Sequence, residues 1–224
     1  MVFISSGQLQ NLANYKYNVQ DDGILSNFYQ PLWRFLLSYI PETIHPNMLT
    51  FCSFMCVLVG YRLSLSLGWD GLDDPALDNM QERPFWTICV IQLLINIYMH
   101  LDALDGKQAR RLRCSSPIGE LLDHALDNIG MIFALLTALN IWGVKSVTVT
   151  YLLIFVSSGL FLACHLDAYC SPKQIITFGK FTGPCESIML YQLISFGGLW
   201  RKNMYTYHED WCQKIAYLPY ILLV

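Results

Sequence analysis

Four aspartates stand close together in one stretch of the 224-residue sequence. Asp102 and Asp105 are three apart, and Asp123 and Asp127 are four apart. Residues at these spacings share a helical face, so each pair presents two carboxylates side by side. Carboxylate oxygens suit hard divalent cations such as Mg²⁺ or Mn²⁺, and the near absence of His and Cys around them disfavours zinc. Two facing pairs could hold two ions about 3.5–4 Å apart, a clamp that recurs in enzymes acting on phosphates. The residues between the pairs fit the same task. Gly106 and Gly119 allow close backbone approach, and Ala109 keeps its helix face shallow. Lys107, Arg110 and Arg111 could meet phosphate oxygens, Arg in bidentate fashion.

These carboxylates must be positioned by elements suited to a membrane. Hydrophobic residues make up 54% of the chain and charged residues only 14%, against roughly a quarter charged in soluble domains. The low charge density excludes disorder and nucleic-acid binding. The eight cysteines mostly lie in apolar runs and read as small packing residues. No secretory signal opens the chain. A spanning helix needs about 20 mostly apolar residues. Five segments meet or approach that, at about 47–67, 85–107, 118–142, 146–166 and 184–200, and a sixth begins near Ile215 with the chain ending inside it at Val224. Ahead of them, Ile24, Phe28, Leu32, Phe35, Leu36 and Tyr39 recur at helical spacing. This pattern, with Trp33 and two tyrosines, suits a helix lying on the bilayer surface, or an amphipathic helix packed on protein. Pro41 and Pro46 end it.

The expected fold is therefore all-α: a polytopic transmembrane helix bundle with an N-terminal interfacial amphipathic helix. Residues 1–45 form the cytosolic or interfacial segment and 46–224 the transmembrane core. The 69–83 loop is acidic, whereas the next loop carries Lys107, Arg110, Arg111 and Arg113. The excess of basic residues on cytoplasmic loops turns the second loop, and with it the aspartates, toward the cytosol. Both pairs then sit at similar depth, at the ends of the second and third spans.

The stretch from Asp102 to Asp127 resembles the CDP-alcohol phosphotransferase signature, D-x2-D-G-x2-A-R-x8-G-x3-D-x3-D. Asp102, Asp105, Gly106, Ala109, Arg110, Gly119, Asp123 and Asp127 match every fixed position. The wording LDALDGKQARR…SSPIGELLDHALD is similar to the eukaryotic choline/ethanolamine phosphotransferase branch. So are YKYN near the start, PNMLTF at 46–51 and GPCE at 183–186. After His165 the chain departs from that branch, reading Leu166, Asp167, Ala168, Tyr169, Cys170, Ser171, Pro172. Relatives in the branch are much longer, so the chain reads as truncated, covering their N-terminal part.

The resemblance implies transfer of phosphocholine or phosphoethanolamine from CDP-choline or CDP-ethanolamine to diacylglycerol, releasing CMP. It implies two Mg²⁺ or Mn²⁺ ions on Asp102, Asp105, Asp123 and Asp127, and substrate contacts from Asn47, Gly106, Ala109, Arg110 and Gly119. It also implies a multi-pass protein of the endoplasmic reticulum or Golgi membrane, a homodimer by analogy, with its active site toward the cytosol. The proton acceptor is open between Asp127 and His124, a neutral imidazole being well matched to that work near neutral pH. Glu186 could share that proton or serve as a first-turn helix charge. His124 could equally be a polar helix-face residue. For His165 and His100 a packing or hydrogen-bonding role is expected. The alternative to an enzyme is a non-catalytic membrane subunit that binds CDP-alcohols or a full-length partner. A transporter is a third reading, since intramembrane acids also mark ion pathways.

Overall fold

The structure is a computed structural model, and it describes residues 5, 7, 19–67, 85–144, 146–170, 176–181 and 183–198. The acidic 69–83 loop, the YKYN stretch and the sixth apolar segment lie outside the described residues. Six helices are described: α1 (Ile24–Tyr39), α2 (Pro46–Leu65), α3 (Phe85–Arg111), α4 (Pro117–Trp142), α5 (Val147–Cys170) and α6 (Pro184–Gly197). Two short strands, β1 (Val19–Asp21) and β2 (Ile176–Phe178), pair in parallel, Val19 opposite Ile176 and Asp21 opposite Phe178. This clip joins the segment before α1 to the segment before α6. Nothing in the sequence pattern announced it, because a three-residue strand carries too few positions for an alternation signal.

Helices α2 to α5 are each long and apolar enough to cross a membrane, as the first four apolar runs suggest. The fifth run forms α6, whose 14 residues are followed by Gly198. Helix α3 packs most extensively on α2 and also meets α1 and α6. Its residues Ile88, Ile91, Ile95 and Met99 are almost fully buried, and their 3–4 residue spacing makes one helical stripe. The opposite stripe, Trp86, Val90, Leu93 and Ile97, is exposed, as expected of a lipid-facing side. Both faces are apolar, so packing rather than water exclusion must hold the helices together. Gly60 on α2 provides one such close approach, against Ile91. At the far end from the aspartates, Asn140 Nδ2 donates to Ser64 Oγ across 2.8 Å, a buried tie between α4 and α2. The described cysteines are all free. Cys185 packs in the core, while Cys52, Cys164 and Cys170 are exposed.

Helix α1 bears out the packed-on-protein reading of its amphipathic pattern and leaves Phe28, Phe35 and Tyr39 exposed. One side packs on the bundle through Leu25, Tyr29, Trp33, Leu36 and Leu37. Trp33, expected at headgroup level, is instead 2% exposed and clustered with Leu49, Met99, Leu104 and Cys185. Its indole Nε1–H donates to His100 Nδ1 across 3.0 Å. This buries the indole and still satisfies its donor, as a buried Trp requires.

The turn between α3 and α4 is tight. Cys114 N–H donates to Ala109 O and Arg113 N–H to Arg110 O. These are the two hydrogen bonds of a Schellman cap. Arg113 takes the left-handed position at φ 55°, which glycine normally fills. Ser116 then caps α4, its Oγ accepting from Gly119 N–H at 3.1 Å, and Pro117 opens the helix. Proline fits there because its missing N–H would be unpaired anyway.

Candidate active site

The reversal between α3 and α4 brings the aspartates together. Asp102 and Asp127 carboxyls lie within hydrogen-bonding reach of each other, as do those of Asp105 and Asp123. One candidate ligand atom from each of Asp102, Asp123 and Asp127 falls within 4.8 Å of the other two. Oδ1 of Asp123 is buried without a hydrogen-bond partner. Carboxylates this crowded in a partly desolvated site repel one another unless positive charge is supplied. The all-oxygen donor set and the orphaned Asp123 oxygen fit a hard divalent cation, so the cluster could hold a metal ion.

Beside this cluster opens a cavity of about 330 Å³. Helix α3 contributes Asp105, Gly106, Ala109 and Arg110, and α2 contributes Pro46, Asn47 and Thr50. Helix α4 and the turn before it contribute Cys114 to Ser116, Gly119, Glu120 and Asp123. Asn47, Gly106, Ala109, Arg110 and Gly119 thus meet around one space. The N-termini of α2 and α4 both border it, and helix N-termini favour anions. A Cβ on Gly106 would stand 3.5 Å from Arg110 Nη1, and one on Gly119 would stand 3.6 Å from Asn47 Oδ1. These are ordinary contacts; the one crowded neighbour is Ser116 Oγ, 3.2 Å from a Cβ on Gly119.

Two partners of the aspartates escaped the sequence reading. Thr50 Oγ1 donates to Asp105 Oδ2 across 2.5 Å, and Tyr98 O–H donates to Asp127 Oδ1 across 3.1 Å. Tyr98 lies one turn before Asp102 on the same helical face, a spacing that could have flagged it. Thr50 lies one turn after the cavity residue Pro46, whose carbonyl its hydroxyl also meets.

His124 and His165 come together across the α4–α5 contact, their ring centroids 4.3 Å apart. His165 Nδ1 lies 2.8 Å from Phe161 O, so that nitrogen carries the hydrogen. Glu186 is held at a different place. Its Oε1 accepts from Leu25 N–H at 2.7 Å on the first turn of α1, and its carboxylate lies against Gly23 and Gly183. Neither His124 nor Glu186 lines the cavity.

The basic run divides. Arg110 lines the cavity, but Lys107 and Arg111, expected to meet phosphate, do not. Lys107 Nζ sits 4.4 Å above the Trp33 ring. Arg111 Nη1 donates to Leu37 O and Ile40 O, and Nη2 pairs with Glu42. On α3 these two side chains point to the face occupied by α1, a division that residue type alone could not disclose.

A model of the CDP-alcohol phosphatidyltransferase family matches residues 43–204. The chain is 32% identical over 172 residues to ethanolaminephosphotransferase 1 of Homo sapiens, covering 75% of this chain and 43% of that protein. It is 30% identical over 218 residues to cholinephosphotransferase 1 of Saccharomyces cerevisiae, covering 96% and 51% respectively. An uncharacterized class-I member of the family from Dictyostelium discoideum is 29% identical over 213 residues, covering 92% and 48%. The chain spans about half the length of these curated relatives. With most of its length matched and the aspartates gathered beside one cavity, the chain belongs to the CDP-alcohol phosphatidyltransferase family.

Proposed function

We propose that the chain transfers phosphocholine or phosphoethanolamine from CDP-choline or CDP-ethanolamine to diacylglycerol, releasing CMP. The observation that carries this reading is the gathering of four aspartates, of which Asp105 and Asp123 line a cavity bordered by Asn47, Gly106 and Arg110. The names of the choline and ethanolamine relatives support the substrate class. In this reading the lipid hydroxyl attacks the phosphorus bearing the amino alcohol. The bond from that phosphorus to the bridging oxygen breaks, and CMP leaves with that oxygen.

Such a transfer needs positioning and charge neutralisation more than covalent chemistry. Asp102, Asp105, Asp123 and Asp127 would hold two ions, Mg²⁺ or Mn²⁺. Bound ions would offset charge on the diphosphate and on the departing CMP oxygen. Arg110 would contact the diphosphate, with Asn47, Gly106, Ala109 and Gly119 shaping the nucleotide's seat. Asp127 or His124 would accept the hydroxyl proton, and Glu186 either shares that proton or supports the site through α1. The residues 107–113 end of the bundle would face the cytosol, following its basic residues, in endoplasmic reticulum or Golgi membrane. The nucleotide would arrive from water and the diacylglycerol from the bilayer. A homodimer belongs to the same reading by analogy alone, and the mass of the detergent-solubilised particle tests it.

The deciding experiment is phosphotransfer by the purified, reconstituted chain. CDP-choline and CDP-ethanolamine would be supplied separately with diacylglycerol and Mg²⁺ or Mn²⁺, against an Asp127→Asn control. Phospholipid formation lost in the control supports the proposal. Binding of both CDP-alcohols without turnover would assign the chain to a non-catalytic subunit.

A further inference from the structure

The end of α3 has two working faces. Asp105, Gly106, Ala109 and Arg110 look into the cavity. On the other side, Arg111 Nη1 donates to Leu37 O at 2.7 Å and to Ile40 O at 3.0 Å. Fully buried Gln108 donates through Nε2 to Pro41 O and Ile44 O, at 3.1 and 3.0 Å. These four carbonyls belong to the last turn of α1 and the link to α2. Leu37 O and Pro41 O also accept the N–H groups of Ile40 and Ile44, and a cation is favoured at a helix C-terminus. A guanidinium and an amide from one turn of α3 thus hold the end of α1 and the turn after it.

Helix α1 has three sectors. Trp33, Tyr29 and Leu37 face the bundle, while Asn27, Arg34 and Ser38 lie on an exposed polar stripe. Ile24, Phe28, Leu32, Phe35 and Tyr39 form a third sector, an apolar ridge exposed by 38–72%. Residues 40–45 lead from this ridge directly into the first turns of the spanning helix α2, where Met48 and Phe51 are also exposed. An apolar ridge beside a polar stripe, continuous with a lipid-facing helix, fits the boundary between acyl chains and headgroups.

We propose that Gln108 and Arg111 are positioning residues, latching a lipid-seated α1 to the end of α3 so that bilayer contact holds Gly106 and Arg110 in the cavity wall. The nucleotide part of this inference rests on the proposed function. The latch itself is a matter of geometry. Its consequence is that nucleotide affinity depends on the bilayer, through a helix that does not line the cavity.

The test uses the full chain in lipid nanodiscs and in detergent, with CDP as the probe. Arg111→Ala should weaken CDP binding in nanodiscs roughly tenfold, a coupling of ordinary size for linked sites. Arg111→Lys, which keeps a cation but loses the fork, should recover part of that loss. Unchanged CDP affinity in Arg111→Ala overturns the proposal. Should Arg111→Ala fail to fold, Phe28→Ser/Phe35→Ser leaves the buried face intact. It should weaken CDP binding in nanodiscs and leave it unaltered in detergent, and equal affinity to the unmodified chain in nanodiscs overturns the proposal. A chain that binds no CDP at all contradicts the proposed function. Hydrogen exchange of residues 105–111 then decides the latch alone: faster exchange in either variant supports it, and unchanged exchange in both overturns it.

Discussion

Thr50 on α2 holds Asp105 on α3 by a 2.5 Å hydrogen bond from Oγ1 to Oδ2, with both residues 5% exposed or less. The bond crosses the most extensive helix contact in the bundle, so one hydroxyl sets the direction of a carboxylate that faces the cavity. Thr50→Val keeps the shape and removes the donor. It should lower stability by about 1–3 kcal/mol, because a buried acceptor with charge is left short of a partner. Thr50→Ser, which restores the hydroxyl, should stay close to the unmodified chain. Thermal unfolding in detergent reads the first effect. Phosphotransfer should fall in Thr50→Val and be retained in Thr50→Ser.

The crowding of Asp102, Asp123 and Asp127 leads to an ion-dependence of stability. A ligand bound only by the folded state stabilises by mass action, about 2.7 kcal/mol at a hundred times its dissociation constant. Mg²⁺ or Mn²⁺ should therefore raise the melting temperature of the purified chain, and EDTA should reverse the rise. Asp123→Asn should remove most of the ion's effect while making the ion-free protein no less stable, since one repelling charge is gone. A melting temperature indifferent to every divalent ion would rule out the cluster as a cation site.

The turn that brings the pairs face to face carries its own strain. Arg113 sits at φ 55° in the position that Gly143, at φ 64°, occupies after α4. Val144 N–H to Leu139 O and Gly143 N–H to Asn140 O repeat the same cap with the usual residue. An L-residue costs roughly 1–2 kcal/mol in this conformation, partly offset in a glycine by its freer unfolded chain. Arg113→Gly should accordingly raise stability by up to about 1 kcal/mol, and Arg113→Val should lower it, as a β-branched residue fits poorly there. Comparing the two melting temperatures checks the sign.

What the sequence discloses here follows from spacing. The four spanning helices, the pairing of Asp102 with Asp105 and of Asp123 with Asp127, and the start of α4 at Ser116-Pro117 all rest on local periodicity or local caps. These signals survive folding because each lies within one continuous segment of the chain. The uses of Lys107, Arg111 and Trp33 could not be read that way. Each depends on α1 lying against α3, a contact between residues about 70 positions apart. Residue type also misleads there, since a guanidinium meets backbone carbonyls as readily as phosphate. The Thr50–Asp105 bond is legible only once α2 and α3 are known to cross at that level.

Glu186 offers a test in which two roles make different demands on one carboxylate. Its Oε1 accepts from Leu25 N–H, and Gly23 and Gly183 leave room for it: a Cβ on Gly23 would stand 2.8 Å from Oε2. Gly23→Ala and Gly183→Ala should each push the carboxylate off the first turn of α1, costing about 0.5–2 kcal/mol as lost helix caps do. Glu186→Ala should cost a similar amount. Glu186→Gln keeps an oxygen that can accept from Leu25, so its stability should lie near that of the unmodified chain. If the carboxylate only holds α1, phosphotransfer by Glu186→Gln should match the unmodified chain throughout its pH profile. If it also shares the hydroxyl proton, kcat should fall with stability and CDP affinity retained. Because the carboxylate is already committed to α1, we expect the first outcome, and a selective loss of kcat in Glu186→Gln would reverse that assignment.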